Sequence, residues 1–78
     1  MLKGNFVIKE NTFIINLNKV DFITFKLNEE NSGEYWIKFH IGGKEARYIC
    51  DINELKDILE QWCGMILETE ELEEEKWL

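Results

Sequence analysis

Apolar and polar residues alternate along most of the first fifty positions, and this period of two predicts β-strands. The clearest case is residues 34–50, where two alternating runs flank Gly42-Gly43. A two-residue type I′ hairpin loop needs positive φ at both central positions, which glycine adopts without steric cost. The register that follows has an apolar face and a mostly polar face, and the pairs expected on the polar face are Trp36 with Ile49, Lys38 with Arg47 and His40 with Glu45.

Three further alternating runs precede this hairpin. They are separated by short polar segments, of which Glu10-Asn11 and Asn18-Lys19 predict tight turns. Residues 28–33 are polar, end in a glycine and predict a longer loop. The strands expected from these runs are 6–9, 12–17 and 20–27.

The spacing changes to that of a helix after the hairpin. Apolar residues recur every three or four positions from Ile52 to Trp62. Asp51 followed by Glu54 is a capping-box pattern with Asp in place of Ser or Thr, and Gly64 stands where a glycine ends a helix. We expect this helix to lie across the apolar face of the hairpin, with Trp62 in the core.

These elements predict an α+β fold: an antiparallel meander of about five strands, open or curled, with one C-terminal helix packed on one face. Residues 1–67 are expected to form the single domain. Residues 68–78 are expected to be an acidic tail or a short second helix, since glutamate favours helices but six glutamates repel one another.

Charge is concentrated at the C-terminal end of this 78-residue chain, whose net charge is −7. Residues 1–67 hold eight Lys or Arg against ten Asp or Glu, whereas residues 68–78 hold six Glu and one Lys, a net charge of −5. A negative surface disfavours direct nucleic-acid binding and favours a protein partner with a basic surface. No apolar run approaches the ~18 residues that a membrane span needs. We expect a complete, cytoplasmic protein with two reduced cysteines.

Catalytic chemistry has little support in the sequence. The one histidine, His40, has Glu45 as its expected cross-strand neighbour, but the register places no serine or cysteine nucleophile beside it. One His and two Cys are too few for a metal site, and glycine-rich phosphate loops are absent. The sequence therefore predicts a protein that is not an enzyme and has neither a cofactor nor a metal.

A basic cluster is expected on the polar face of the sheet. If the strand at residues 20–27 pairs antiparallel with the first hairpin strand, Lys26 joins Lys38 and Arg47 there. A like-charge pair such as Lys38 with Arg47 costs stability. Three explanations stay open: a nearby carboxylate, for instance from the glutamate-rich tail, neutralises the pair; the cluster binds an anion or an acidic partner; or the contact is exposed and has no consequence.

The order of strands, turns and helix resembles the later half of LytTR-type DNA-binding domains of response regulators. The resemblance covers residues 6–60 and implies a strand, a turn, a strand ending in an Asn-Leu step, a glycine-containing hairpin and a final helix. Where that family carries a basic His-Arg-Ser turn, this chain has Glu10-Asn11-Thr12, so the DNA-binding role is not carried over. The residues that carry the resemblance are Phe6-Val7-Ile8, Phe13 to Val20, Tyr35 to Phe39, Gly43-Lys44 and Glu54-Leu55.

The sequence thus predicts a small acidic, non-catalytic protein-interaction module, of the kind that phages and mobile elements encode as inhibitors or adaptors. Its acidic tail would bind a basic groove on a nucleic-acid-handling partner. The alternative is a small-ligand or anion-binding module that uses Lys26, Lys38 and Arg47. Apolar residues opposite the helix-covered side (Ile14, Phe22, Trp36 and Ile49) predict a homodimer or cover by the tail. The tail residues expected to contact the partner are Glu70, Glu71, Glu73, Glu74, Glu75 and Trp77.

Overall fold

The computed structural model describes residues 1–64 as an α+β fold. These residues form two three-stranded antiparallel sheets, followed by one α-helix at their C-terminal end. The α+β class, the antiparallel pairing and the C-terminal helix were predicted from the sequence, but the chain has six strands rather than about five. The elements are β1 (Leu2–Lys3), β2 (Phe6–Lys9), β3 (Phe13–Asn16), β4 (Phe22–Leu27), β5 (Glu34–Ile41), β6 (Lys44–Asp51) and α1 (Ile52–Cys63).

The first sheet has the order β1-β2-β3. Val7 pairs with Ile15, and both side chains are buried against the core. The expected turn between β2 and β3 is present, with Asn11 in the left-handed region at φ 57°. The strand β1 was not predicted, because two residues carry no periodic signal.

A 3₁₀ turn at Leu17–Lys19 separates the two sheets and makes the prediction of a single meander wrong. The Asn16 side chain accepts a hydrogen bond from the Asn18 backbone N–H (3.0 Å), and Leu17 is buried. The Leu17 N–H donates to the Asn5 carbonyl at 2.8 Å. The chain leaves the first sheet here, so β4 pairs with β5 instead of β3.

The second sheet has the order β4-β5-β6 and contains the predicted hairpin. The expected register is confirmed from Tyr35 opposite Cys50 to Ile41 opposite Lys44. Gly42 and Gly43 have φ angles of 54° and 85°, as a type I′ loop requires. The third expected strand is shorter than predicted and begins at Phe22.

Helix α1 has the predicted ends. Asp51 Oδ1 accepts a hydrogen bond from the Glu54 N–H at 2.8 Å, and Gly64 adopts φ 71° while its N–H donates to the Glu60 carbonyl. Only half of the capping box forms, because the Glu54 carboxylate accepts a hydrogen bond from the Tyr48 hydroxyl instead of returning to the cap.

The core lies on one side of the second sheet, where both the helix and the first sheet cover it. Phe39 and Ile37 are fully buried there, together with Leu55 and Ile58 of the helix. Trp62 packs against this core but is only partly buried, so it lies at the core margin rather than within it. No helix of residues 1–64 has the length and hydrophobicity that a membrane crossing requires. The whole set of buried apolar residues is Val7, Ile15, Leu17, Ile23, Tyr35, Ile37, Phe39, Tyr48, Cys50, Leu55, Ile58 and Leu59.

Candidate functional site

The side of the second sheet that faces away from the helix carries the predicted basic cluster. Because side chains alternate across a strand, the pairing of β4, β5 and β6 arranges these residues in three rows. We call this surface the outer face. Its rows are Lys26, Trp36 and Ile49; Thr24, Lys38 and Arg47; and Phe22, His40 and Glu45.

A shallow groove of about 390 Å³ crosses the outer face. Lys26, Lys38 and Arg47 all line it, so the structure brings the three predicted cations together. Thr24 and Trp36 line it as well. The groove therefore combines positive charge with a hydroxyl group and the aromatic surface of Trp36.

The like-charge pair in the middle row is relieved by a carboxylate from the same hairpin. Lys38 Nζ lies 3.7 Å from Glu45 Oε2, on the diagonal of the β5–β6 ladder. Both side chains are partly exposed, so this ion pair adds little to stability. Its effect on the site is to orient Lys38 and to reduce the positive charge at that end of the groove.

Arg47 contacts an aromatic ring, whereas Lys38 forms an ion pair with a carboxylate. Its guanidinium carbon lies 5.5 Å from the centroid of the Trp36 ring, within the range of a cation–π contact. Such a contact leaves the guanidinium N–H groups free to bind an oxyanion, which Arg contacts through two parallel hydrogen bonds. Arg47 is thus held in place without losing its charge.

His40 lies opposite Glu45 on the β5–β6 ladder, as expected, but the Glu45 carboxylate forms an ion pair with Lys38. His40 Nε2 is hydrogen-bonded to Thr24 Oγ1 at 3.1 Å, and its ring stacks on Phe22 with centroids 4.0 Å apart and an interplanar angle of 9°. Within residues 1–64 no carboxylate is hydrogen-bonded to the other ring nitrogen, so the histidine lacks the third member of a catalytic triad. The contact with Thr24 could not be predicted without the β4–β5 register.

A second, smaller hollow of about 260 Å³ continues from the groove past Lys26 and Trp36. The loop after β4 contributes Glu29 and Glu30 to its lining. The outer face therefore combines a groove lined by three cations with an acidic loop beyond Lys26.

Two titratable side chains belong to the inner side of the same sheet. Burial, with help from the Glu54 and Asp51 carboxylates, raises the pKa of the Cys50 thiol to about 12. Burial and the hydrogen bond to Glu54 raise the pKa of the Tyr48 hydroxyl. Both groups stay neutral at physiological pH, and we assign them a structural role.

The predicted partner-contacting residues of the tail lie outside the described residues; they are Glu70, Glu71, Glu73, Glu74, Glu75 and Trp77. The apolar residues expected opposite the helix are divided between two surfaces, because Ile14 is on the first sheet while Phe22, Trp36 and Ile49 are on the outer face. Of these, Ile14 is 69% exposed and Phe22 is 43% exposed.

Residues 1–64 contain no group of three or more His, Cys, Asp or Glu side chains arranged to hold a metal ion. Comparisons of the chain with protein-family models, curated proteins and solved structures found no match.

Proposed function

We propose that this protein is a small non-catalytic binding module and that the outer face is its binding surface. The ligand would carry an anionic group, a carboxylate or a phosphate, next to an apolar portion. Arg47 and Lys26 would bind the anionic group, while Trp36 and Ile49 would contact the apolar portion.

The observation that carries the proposal is the convergence of Lys26, Lys38 and Arg47 on one groove that also contains Trp36. Cations placed on neighbouring strands repel each other, and Glu45 offsets this cost at Lys38 only. Phe22 and Ile49 leave apolar area exposed beside the groove. Charge and apolar area in one place are typical of an interaction surface.

A binding role accounts for these residues better than an enzymatic one. Thr24 and His40 resemble a nucleophile–base pair, but the His40 ring is stacked on Phe22 and Glu45 is engaged by Lys38. The same residues are well suited to fixing the shape of a recognition surface. We therefore propose a protein without catalytic activity.

Titration of the full chain with tripolyphosphate, a compact multivalent anion, tests the proposal by calorimetry. We expect Arg47→Gln to weaken binding at least about tenfold, because a charge-assisted contact contributes roughly 1.5–3 kcal/mol. The matched control is Lys3→Gln, which removes an exposed cation from the first sheet. Equal weakening by the two substitutions would mean that the outer face is no more than a diffuse positive surface, and the proposal would be rejected.

A second candidate function uses the tail, supported by the net charge of −5 in residues 68–78. In this proposal the protein is an adaptor or an inhibitor, of the kind encoded by phages, that engages a basic protein surface and competes with nucleic acid there. A cytoplasmic location belongs to the same proposal and is supported by the free thiols of Cys50 and Cys63. A homodimer formed through the exposed apolar residues likewise stays a proposal.

A further inference from the structure

The positive charge of the outer face is only partly balanced within residues 1–64. Glu45 pairs with Lys38, but neither Lys26 nor Arg47 forms an ion pair with any carboxylate of the described part of the chain. Lys26 lies opposite Trp36, and Arg47 lies over its ring. Two cations and a large aromatic surface are thus available to one acidic ligand.

The chain itself contains a sequence of matching chemistry. Residues 65–78, which follow Gly64, include six glutamates and a single lysine. Leu72 lies between glutamates, and Trp77 and Leu78 follow the last charged residue. Negative charge next to apolar side chains is the composition that the groove and its exposed apolar border would accept.

The segment is long enough to reach the outer face from the end of the helix. An extended chain covers about 3.3 Å per residue, so Glu70 can lie ~20 Å from Gly64 and Glu75 ~36 Å. The longest dimension of the molecule is 27 Å. Passage around an edge of the second sheet, from the helix side to the outer face, therefore imposes no length constraint.

We propose that residues 68–78 are an intramolecular ligand of the outer face, with glutamate carboxylates on Arg47 and Lys26. This inference rests on the proposed function, because it requires the outer face to bind anions. A tethered ligand competes at a local concentration in the millimolar range, so an external acidic partner must displace it. The same glutamates would then become available to a basic surface only after displacement, which makes the two proposed binding activities mutually dependent.

The test compares the full chain with a full-length variant in which five of the six glutamates of residues 68–78 are neutralised. Two-dimensional NMR spectra should show that neutralisation shifts the Arg47 side-chain N–H and the backbone amides of Lys26 and Trp36, while Val7 and Lys3 of the first sheet keep their positions. The variant should also bind tripolyphosphate about tenfold more tightly in 0.15 M salt, where charges beyond ~8 Å are screened. The substitutions are Glu70→Gln, Glu71→Gln, Glu73→Gln, Glu74→Gln and Glu75→Gln.

The possible outcomes distinguish failure of the tail contact from failure of the proposed function on which it rests. Unchanged outer-face resonances, with equal tripolyphosphate affinity that still depends on Arg47, would overturn the tail as the occupant and leave the binding face intact. Absence of tripolyphosphate binding in both proteins, with no resonance shifts, would reject both proposals. If the parent protein sediments as a dimer and the neutralised variant as a monomer, the intramolecular contact would be overturned. The tail of one copy would then bind the outer face of the other.

Discussion

Two phenylalanines on adjacent strands provide the sharpest test of which side of the second sheet is structural. Phe39 on β5 is fully buried between the sheet and its cover, and its ring stacks on Tyr48 with centroids 6.2 Å apart. Phe22 on β4 points to the outer face and is 43% exposed. The substitutions Phe39→Ala and Phe22→Ala remove the same atoms from opposite sides of one sheet.

Their expected costs differ several-fold. A buried Phe→Ala substitution costs about 3–5 kcal/mol through lost burial and the cavity left behind. A domain of this size has a free energy of unfolding of about 4–12 kcal/mol, so Phe39→Ala should remove a large part of it. Phe22→Ala loses some partly exposed area and a stacking contact with His40 that is worth about 0.5–1.5 kcal/mol.

Urea unfolding followed by circular dichroism measures both values. We expect the midpoint to fall steeply for Phe39→Ala and slightly for Phe22→Ala, with similar dependence on urea concentration in all three proteins. Tripolyphosphate binding at the outer face should survive Phe22→Ala. Equal losses of stability for the two substitutions would refute the assignment of an inner, structural face and an outer, binding face.

Three further predictions concern the helix cap and the buried titratable groups. Asp51→Ala should lower the free energy of unfolding by about 1 kcal/mol, because the Glu54 N–H loses its hydrogen-bond acceptor. A thermal melt should show a lower midpoint, and an unchanged midpoint would mean that the cap is dispensable. With a thiol-specific reagent at pH 8, Cys63 should react in the native protein, whereas Cys50, buried and with a pKa of about 12, should react only on unfolding; equal rates would contradict the packing of β6. The free energy of unfolding should fall as pH rises above about 9, because the pKa values of Cys50 and Tyr48 are raised in the folded state and the unfolded chain therefore loses these protons first. The fall should be at most about 1.4 kcal/mol per pH unit for each group. The slope of unfolding free energy between pH 9 and 10 should be smaller in Cys50→Ala, and an unchanged slope would count against burial as the cause.

Local sequence signals were sufficient for the hairpin and the helix. The pair Gly42-Gly43 determined the register of β5 and β6, and the helix ends followed from Asp51 and Gly64. Each of these signals depends on the backbone conformation of one or two residues. That is why they can be read without knowledge of the tertiary structure.

The division into two sheets could not be read in the same way. Residues 12–27 look like two strands joined by a short turn, and the local pattern is the same whether β4 pairs with β3 or with β5. The 3₁₀ turn at Leu17–Lys19 and the burial of Leu17 decide between them, and both depend on contacts with the rest of the chain. The two-residue strand β1 is defined by its antiparallel pairing with β2, and not by a pattern in its own sequence.

The candidate site was partly predictable for related reasons. Strand alternation, together with the expected pairing of the strands, placed Lys26, Lys38 and Arg47 on one face. Each lies an odd number of positions from a buried residue of its own strand, and therefore on the opposite side of the sheet. The partner of Glu45 was not predictable from opposite pairing, because the long Lys38 side chain reaches it along the diagonal. Side-chain length and rotamer, rather than register, decide such contacts.

Two-dimensional NMR of the isotopically labelled full chain, titrated with tripolyphosphate, shows whether the outer face of the second sheet is the binding surface. We expect saturable shifts of the Arg47 side-chain N–H, the Trp36 indole N–H and the Lys26 and Lys38 amides, with the amides of the first sheet unchanged. Shifts spread evenly over both sheets, or centred on the lysines of the first sheet, would contradict it.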